Sequence, residues 1–214
     1  MRPSPPAACG CSLPLLLCGA LVAADQRVQD LRVLAEARPT AATATWSDRL
    51  GSAAGDADLR QAWAGGAGMR WGWGAPGRPH LLVVGAAALW LEQRWDDAAL
   101  RGPEARLEAG YGCALGNRWL LTLMPCVAAG RVALDRPAAA SRALAMSGNL
   151  VEWGAAAGLR WTVTGRWSLG LEGGWLGGRQ RLTGDGASLD LRHQGGWAGL
   201  GLAWTIDPRP QALP

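Results

Sequence analysis

The residues able to do chemistry in this sequence are few and poorly grouped. There are two histidines, His80 and His193. A serine hydrolase needs a serine and a histidine on one face, with an acid behind them. Ser188 lies five residues from His193, and an odd separation puts the two on opposite faces of a regular strand. Asp190 and Arg192 also alternate with His193, which leaves His193 as a polar residue near a rim. Cys113 and Cys126 lack ligand spacing and His80 is remote in sequence, so no metal site is expected. Gly184-Asp185-Gly186 is a turn signal, because neither a lysine nor a helix follows it. No catalytic, cofactor-binding or metal-ligating residue is assigned.

Composition narrows the classes further. The chain has 214 residues, is 49% hydrophobic, and contains 31 Gly, 13 Trp, one Tyr and no Phe. All its basic residues are arginine, and the net charge is +4. The arginines alternate with acids and form no basic block, so nucleic acid is not an expected partner. Residues 1–24 read as a signal peptide: Arg2 precedes an apolar run from Leu13 to Ala24, and Val22-Ala23-Ala24 offers a cleavage site before Asp25. The run is short for a membrane anchor. Leu17 before Cys18 argues against lipidation, and Cys9, Cys11 and Cys18 would leave with the signal. Beyond this segment no stretch could span a bilayer as a helix.

From Leu59 onward the sequence alternates with period two over runs longer than ordinary strands. In the first run Leu59, Gln61, Trp63, Met69, Trp71 and Trp73 oppose Arg60, Ala62, Ala64 and Arg70. Next, Leu81, Val83, Ala87, Leu89 and Leu91 are read as an apolar face against Glu92 and Arg94. Leu107, Ala109 and Tyr111 oppose Glu104, Arg106 and Glu108. Further apolar sets are Trp119, Leu121, Leu123 and Val127; Val151, Trp153, Leu159, Trp161 and Val163; and Trp167, Leu169, Leu171 and Trp175. Glu152, Arg160 and Glu172 face the other way. Such alternation means two different solvents on the two faces.

Gly116-Asn117-Arg118 and Thr164-Gly165-Arg166 fit tight hairpin turns, and 74–80 is a fairly short connection. Connections near 96–103, 135–148 and 183–188 read as longer. Gly173-Gly174 and Gly195-Gly196 mark bulges or close packing, the second pair where outward parity changes from Leu191 to Leu200. An even strand count then requires one more strand upstream, and Leu31–Arg38 supplies it, with residues 39–58 as the first loop. The competing reading makes 25–38 an amphipathic helix. The strand is favoured because an even barrel leaves no open edge in lipid.

The final strand ends Gly201-Leu202-Ala203-Trp204-Thr205-Ile206. This resembles the C-terminal assembly signal of outer-membrane barrels, Gly-x-x-aromatic-x-hydrophobic, but ends in Ile and carries a Pro-rich tail at 207–214. With the strand pattern, the mature chain resembles the small eight-stranded outer-membrane proteins of the OmpA, OmpX and OmpW type. The resemblance is one of architecture and includes no subfamily motif. It implies an all-β fold: one antiparallel, up-and-down transmembrane barrel over 25–206. It also implies a Gram-negative outer membrane, lipid and lipopolysaccharide as surroundings, the barrel-assembly machinery as a transient partner, and a monomer.

In that setting Trp63, Trp71, Trp73, Trp95, Trp119, Trp153, Trp161, Trp167, Trp175 and Trp204 form interface belts. A soluble barrel with a tryptophan core is the alternative. The inward face carries Arg32, Arg38, Arg60, Arg70, Arg94, Arg106, Arg118, Arg160 and Arg192 against Glu36, Glu92, Glu104, Glu108, Glu152, Glu172 and Asp190. An eight-stranded barrel is barely wide enough for its own side chains, so these charges must pair. A salt-bridged core is expected, with a polar conduit as the alternative. The function expected is a non-enzymatic envelope barrel with a structural or surface-contact role and no cofactor. A narrow solute or ion channel of porin-like kind and a lipid-modifying enzyme are the other readings.

Overall fold

The computed structural model describes residues 25–75, 78–95, 98–135, 145–184 and 186–206. The signal-peptide and tail assignments lie outside the described residues. All regular elements here are strands: β1 (Asp25–Ala37), β2 (Ala41–Asp48), β3 (Gly51–Asp58), β4 (Gln61–Gly74), β5 (His80–Arg94), β6 (Ala99–Leu115), β7 (Trp119–Asp135), β8 (Met146–Thr162), β9 (Trp167–Gly184) and β10 (Ala187–Thr205). Antiparallel pairing runs β1-β4-β5-β6-β7-β8-β9-β10, and β1 pairs back onto β10 to close an eight-membered ring.

β2 and β3 lie outside the ring count. β2 continues the path of β1 and pairs with β10 over 188–193, while β3 pairs only with β2 among the described elements. Each half of the first hairpin is thus one long strand with a short interruption. Backbone bonds stitch the interruption: Arg38 N–H to Ala62 O at 2.8 Å, Leu59 N–H to Thr40 O at 3.0 Å, and Arg60 N–H to Arg94 O at 2.9 Å. Residues 39–58, expected as a loop, are mostly this hairpin. Segment 25–38 is strand through Ala37, not helix. Other connections are also shorter than the sequence suggested, because the strands themselves extend: β9 reaches Gly184 and β10 begins at Ala187.

The tight turns set the register as expected. Leu115 opposes Trp119 across Gly116, whose φ of +65° suits glycine. Val163 donates its N–H to Trp167 O at 2.9 Å. Cys113 opposes Leu121 and Cys126 opposes Glu108, so the two thiols sit on different faces and both are free. The β6–β7 ladder skips pairs near Pro103 and Pro125, which have no N–H to give it, while the register stays constant.

The wall carries its apolar side outward. Val33 is 61% exposed and Leu171 59%, whereas Glu152 is 1% and Arg38 4%. Between Trp63 and Trp71, Trp153 and Trp161, and Trp167 and Trp175, no outward side chain is charged. Each of these indole pairs brackets nine residues, the length that crosses a bilayer as a tilted strand, about 27 Å along the chain at ~3.4 Å per residue. An uninterrupted apolar band around a charged interior is stable only with hydrocarbon outside.

Toward the loop end the polarity reverses. Outward positions become Arg131, Asn149, Arg179, Arg181, Arg192, Thr43 and Thr45. Inward positions become Leu91, Leu100, Val132, Leu134, Met146, Leu150, Leu182 and Leu189, one buried cluster against which Trp46 and Trp95 pack. The observed faces correct three expectations. Leu81, Val83, Ala87, Leu89 and Leu91 point inward, and Leu82, Val84 and Trp90 form the outer face of β5. Leu59 is buried with Ala42, Ala62 and Leu191. Finally, β10 keeps odd residues inward from Ala187 to Ala203, in unbroken register with β9. Gly195 and Gly196 therefore mark no bulge there; a Cβ on Gly195 would stand 3.2 Å from the Pro39 ring, a matter of close packing.

Candidate functional site: the lumen and its outer rim

The strand pleat sends Asp30, Arg32, Leu34, Glu36 and Arg38 inward in succession along the β1 path. Facing strands supply Arg70, Glu104, Arg106, Glu108, Glu152, Arg160 and Glu172, most of them nearly fully buried. Three ionic groups result. Nearest the tight turns, Arg160 pairs with Asp30, which also accepts from the Thr205 hydroxyl at 2.9 Å. Above it, Arg32 and Arg70 both contact Glu108 and Glu172. Arg70 donates to Glu108 from Nε at 3.0 Å and from Nη2 at 2.9 Å, and to Glu172 at 2.7 Å. Four charges here sum to zero.

The third group is larger. Arg106 grips Glu36 through two nitrogens at 2.6 and 2.8 Å, a bidentate fork. Arg38 reaches Glu104 at 2.9 Å, Glu152 at 2.5 Å and Glu36 at 3.2 Å. Glu152 also holds His193 Nε2 at 2.8 Å. Arg106 stacks over the buried Trp197 ring, 5.4 Å from its centroid. Two arginines here face three glutamates.

Apolar clusters pack around these groups: Leu81, Val83, Leu120 and Met124 lie beside Arg160, and the larger leucine-rich cluster fills the loop end. A cavity of about 20 Å³ beside Arg32, Arg70 and Arg160 has room for roughly one water. Gln93 and Gln180 join at 2.8 Å among the leucines of the loop-end cluster. No cluster of three metal-ligating side chains occurs among the described residues.

Several expected lumen residues are elsewhere. Arg60 is exposed where β3 passes into β4, and Arg118 is exposed in its turn. Glu92 and Arg94 pair on the loop-side rim of β5, where Arg101 reaches Glu92 at 3.3 Å. Asp190 and Arg192 lie on the outer face of β10. Sequence parity misplaced His193, which is 3% exposed inside the barrel, and the lumen set overlooked Asp30. Trp95 packs against the upper core rather than lipid. Trp90, 48% exposed, takes the outward place on that strand. Of the remaining tryptophans, Trp119 and Trp161 stack at 6.0 Å, and Trp204 lies under Arg166 at 5.9 Å.

On the outer extension, Arg179 Nε donates to both Asp190 oxygens at 2.9 and 3.0 Å. That hydrogen bond holds the Asp190 carboxyl below the usual carboxylate range, against the smaller opposing effect of its partial burial. Arg181 and Arg192 each stand 3.9 Å from the same carboxylate, with side chains 65% exposed. At the hairpin tip, the Leu50 N–H bonds Asp48 at 2.7 Å and lowers that carboxyl too, assisted by Trp46 and Gly51.

No protein-family model matches the sequence, and neither does any curated protein. Among solved structures, the chain is similar to the outer membrane protein OprG from Pseudomonas aeruginosa, with 8% identity and TM-score 0.47, covering 85% of this chain and 97% of that one. It is similar to Ail, the attachment invasion locus protein of Yersinia pestis, with 9% identity and TM-score 0.41 over 84% and 99% of the two chains. Neisserial surface protein A gives 15% identity and TM-score 0.39 over 80% and 96%. These are likenesses of general architecture. What the chain does must be read from its own geometry.

Proposed function

We propose that this chain is a non-enzymatic barrel of the bacterial outer membrane, with a salt-bridged and largely closed lumen. Its role is structural or one of surface contact. The observation that carries this reading is the filled bore: paired arginines and carboxylates span it, and a leucine-rich cluster fills its loop end. A conduit needs charges facing water. Here the charges face each other, and separating them costs several kcal/mol each. The β2–β3 hairpin, standing beyond the apolar band with one edge of β3 unpaired among the described elements, supplies the surface for contact. Small and acidic residues along that edge, Gly51-Ser52-Ala53-Ala54-Gly55-Asp56, discourage indiscriminate strand addition. Planar-bilayer recording on the purified protein tests the closed lumen. Absent or rare small conductance is expected, and a large stable conductance would restore the channel reading. Unchanged lipid A mass spectra with and without the protein are expected; a modified species would restore the enzyme reading.

A further inference from the structure

β10 changes partner partway along its length. It pairs with β1 from Ala198 onward and with β2 only as far as His193, so residues 194–197 lack a ladder on that side. A cleft of about 640 Å³ opens at this level, lined among others by Thr43, Asp56, Trp153, Trp175, Arg192 and His193. Trp153 and Trp175 place it at the height where indole rings meet lipid headgroups.

One cationic group in the cleft has capacity to spare. Arg192 extends from the outer face of the wall 3.9 Å from Asp190, a carboxylate already gripped by Arg179. Against it in the cleft stands one acid, Asp56. Asp56 opposes Thr43, and Thr43 opposes Arg192, so the three form one row across β3, β2 and β10. Two strand spacings separate the ends of the row by about 10 Å. The ends are opposite in charge and do not pair with each other. This is a dipolar site, and a simple anion would meet Asp56 unfavourably.

We propose that this cleft binds a lipid headgroup carrying phosphate and a primary amine together, of the phosphoethanolamine class. The phosphate lies toward Arg192, the ammonium toward Asp56, and the acyl chains leave along Trp153 and Trp175. The proposal rests on the outer-membrane reading above. Native mass spectrometry of the full chain, released from detergent with equimolar phosphatidylethanolamine and phosphatidylglycerol of matched chains, tests it. Retention of the ethanolamine lipid at least tenfold over the glycerol lipid is expected. Arg192→Ala should lower that retention about tenfold, and Asp56→Asn should abolish the preference while phosphate-bearing lipid still binds. Arg131→Ala, on the same rim but outside the cleft, should change nothing. Both test positions are exposed, and an unshifted heat-modifiability on gels verifies their fold. Equal retention of the two lipids, indifference to Arg192→Ala, or inorganic phosphate alone binding as well as the lipid would overturn the proposal. Failure of all variants and wild type alike to enter vesicles would overturn the outer-membrane reading instead.

Discussion

Replacement of Glu108 by alanine probes the lumen most directly. Glu108 accepts from both Arg32 and Arg70, and Glu172 alone would remain to balance those two guanidinium groups. The loss leaves one uncompensated buried positive charge, a change that costs about 3–5 kcal/mol when one partner of a buried pair is removed. At 1.4 kcal/mol per tenfold, the folding equilibrium should fall by roughly two to three and a half orders of magnitude. The carboxylate also fills the space over Gly85, where a Cβ would collide with it, so truncation adds a void. Glu108→Gln separates the two effects, keeping the volume and losing the charge. The double variant Glu108→Ala with Arg70→Met restores a balanced Arg32–Glu172 pair, 3.3 Å apart, and should recover about 1–3 kcal/mol relative to additivity. Urea unfolding in lipid vesicles, followed by gel mobility, measures these variants together with Arg70→Met alone and the parent, and bilayer recording looks for a leak in Glu108→Ala. Strict additivity of the double variant, or a single variant within about 0.5 kcal/mol of the parent, would show that the ionic group does not hold the lumen.

Other tests address the wall and the outer extension. Asp190→Asn should destabilise by under about 1 kcal/mol at pH 7, since the pair is partly solvated. Because the folded-state value of Asp190 is depressed, its contribution is present above the ordinary carboxylate range and is lost as pH falls through the depressed value. Unfolding curves of parent and variant should therefore converge as pH falls below the ordinary carboxylate range and through the depressed value; a gap that stays constant throughout the acid limb contradicts the pairing. Gly178→Ala should destabilise by about 1–3 kcal/mol, because its Cβ would stand 2.7 Å from His193 Cε1 and 2.8 Å from Glu152 Cγ. A neutral result in the same unfolding assay would mean His193 is not seated there. Thr43→Cys should react with an impermeant maleimide in intact cells and Leu123→Cys should not, which places the membrane boundary. Mass spectrometry without reductant should find no Cys113–Cys126 bridge.

The sequence displayed the faces of β6 to β9 because charged and apolar residues alternate there without exception near the middle of the wall. Glu104, Arg106 and Glu108 against Leu107 and Tyr111 can be sorted by eye. β5 resisted sorting because both of its faces are apolar: Leu81, Val83 and Leu91 serve interior layers, and Leu82, Val84 and Trp90 meet lipid. Alternation of residue numbers persists, but it no longer says which side is which. The same difficulty moved His193 outward. Read as lipid-facing, Leu191 requires a parity change at Gly195-Gly196 before Leu200; the chain instead runs straight and its interior changes from charged to apolar. Residues 39–58 are mostly Ala, Thr, Ser, Gly and Asp, too small to register as a strand pattern. Their pairing with β10 comes from distant contacts.

The fixed spacing of the indole rings has a consequence for where this molecule can live. Nine residues from rim to rim, with arginines beyond both rims and a closed ring of paired strands, make a span that cannot stretch or tilt much to suit its surroundings. A thicker bilayer would have to thin locally around it, at a fraction of a kcal/mol per Å. Bacterial outer membranes are thinner than average. The barrel's own height therefore acts as an address, disfavouring residence in thicker membranes without any receptor reading a signal.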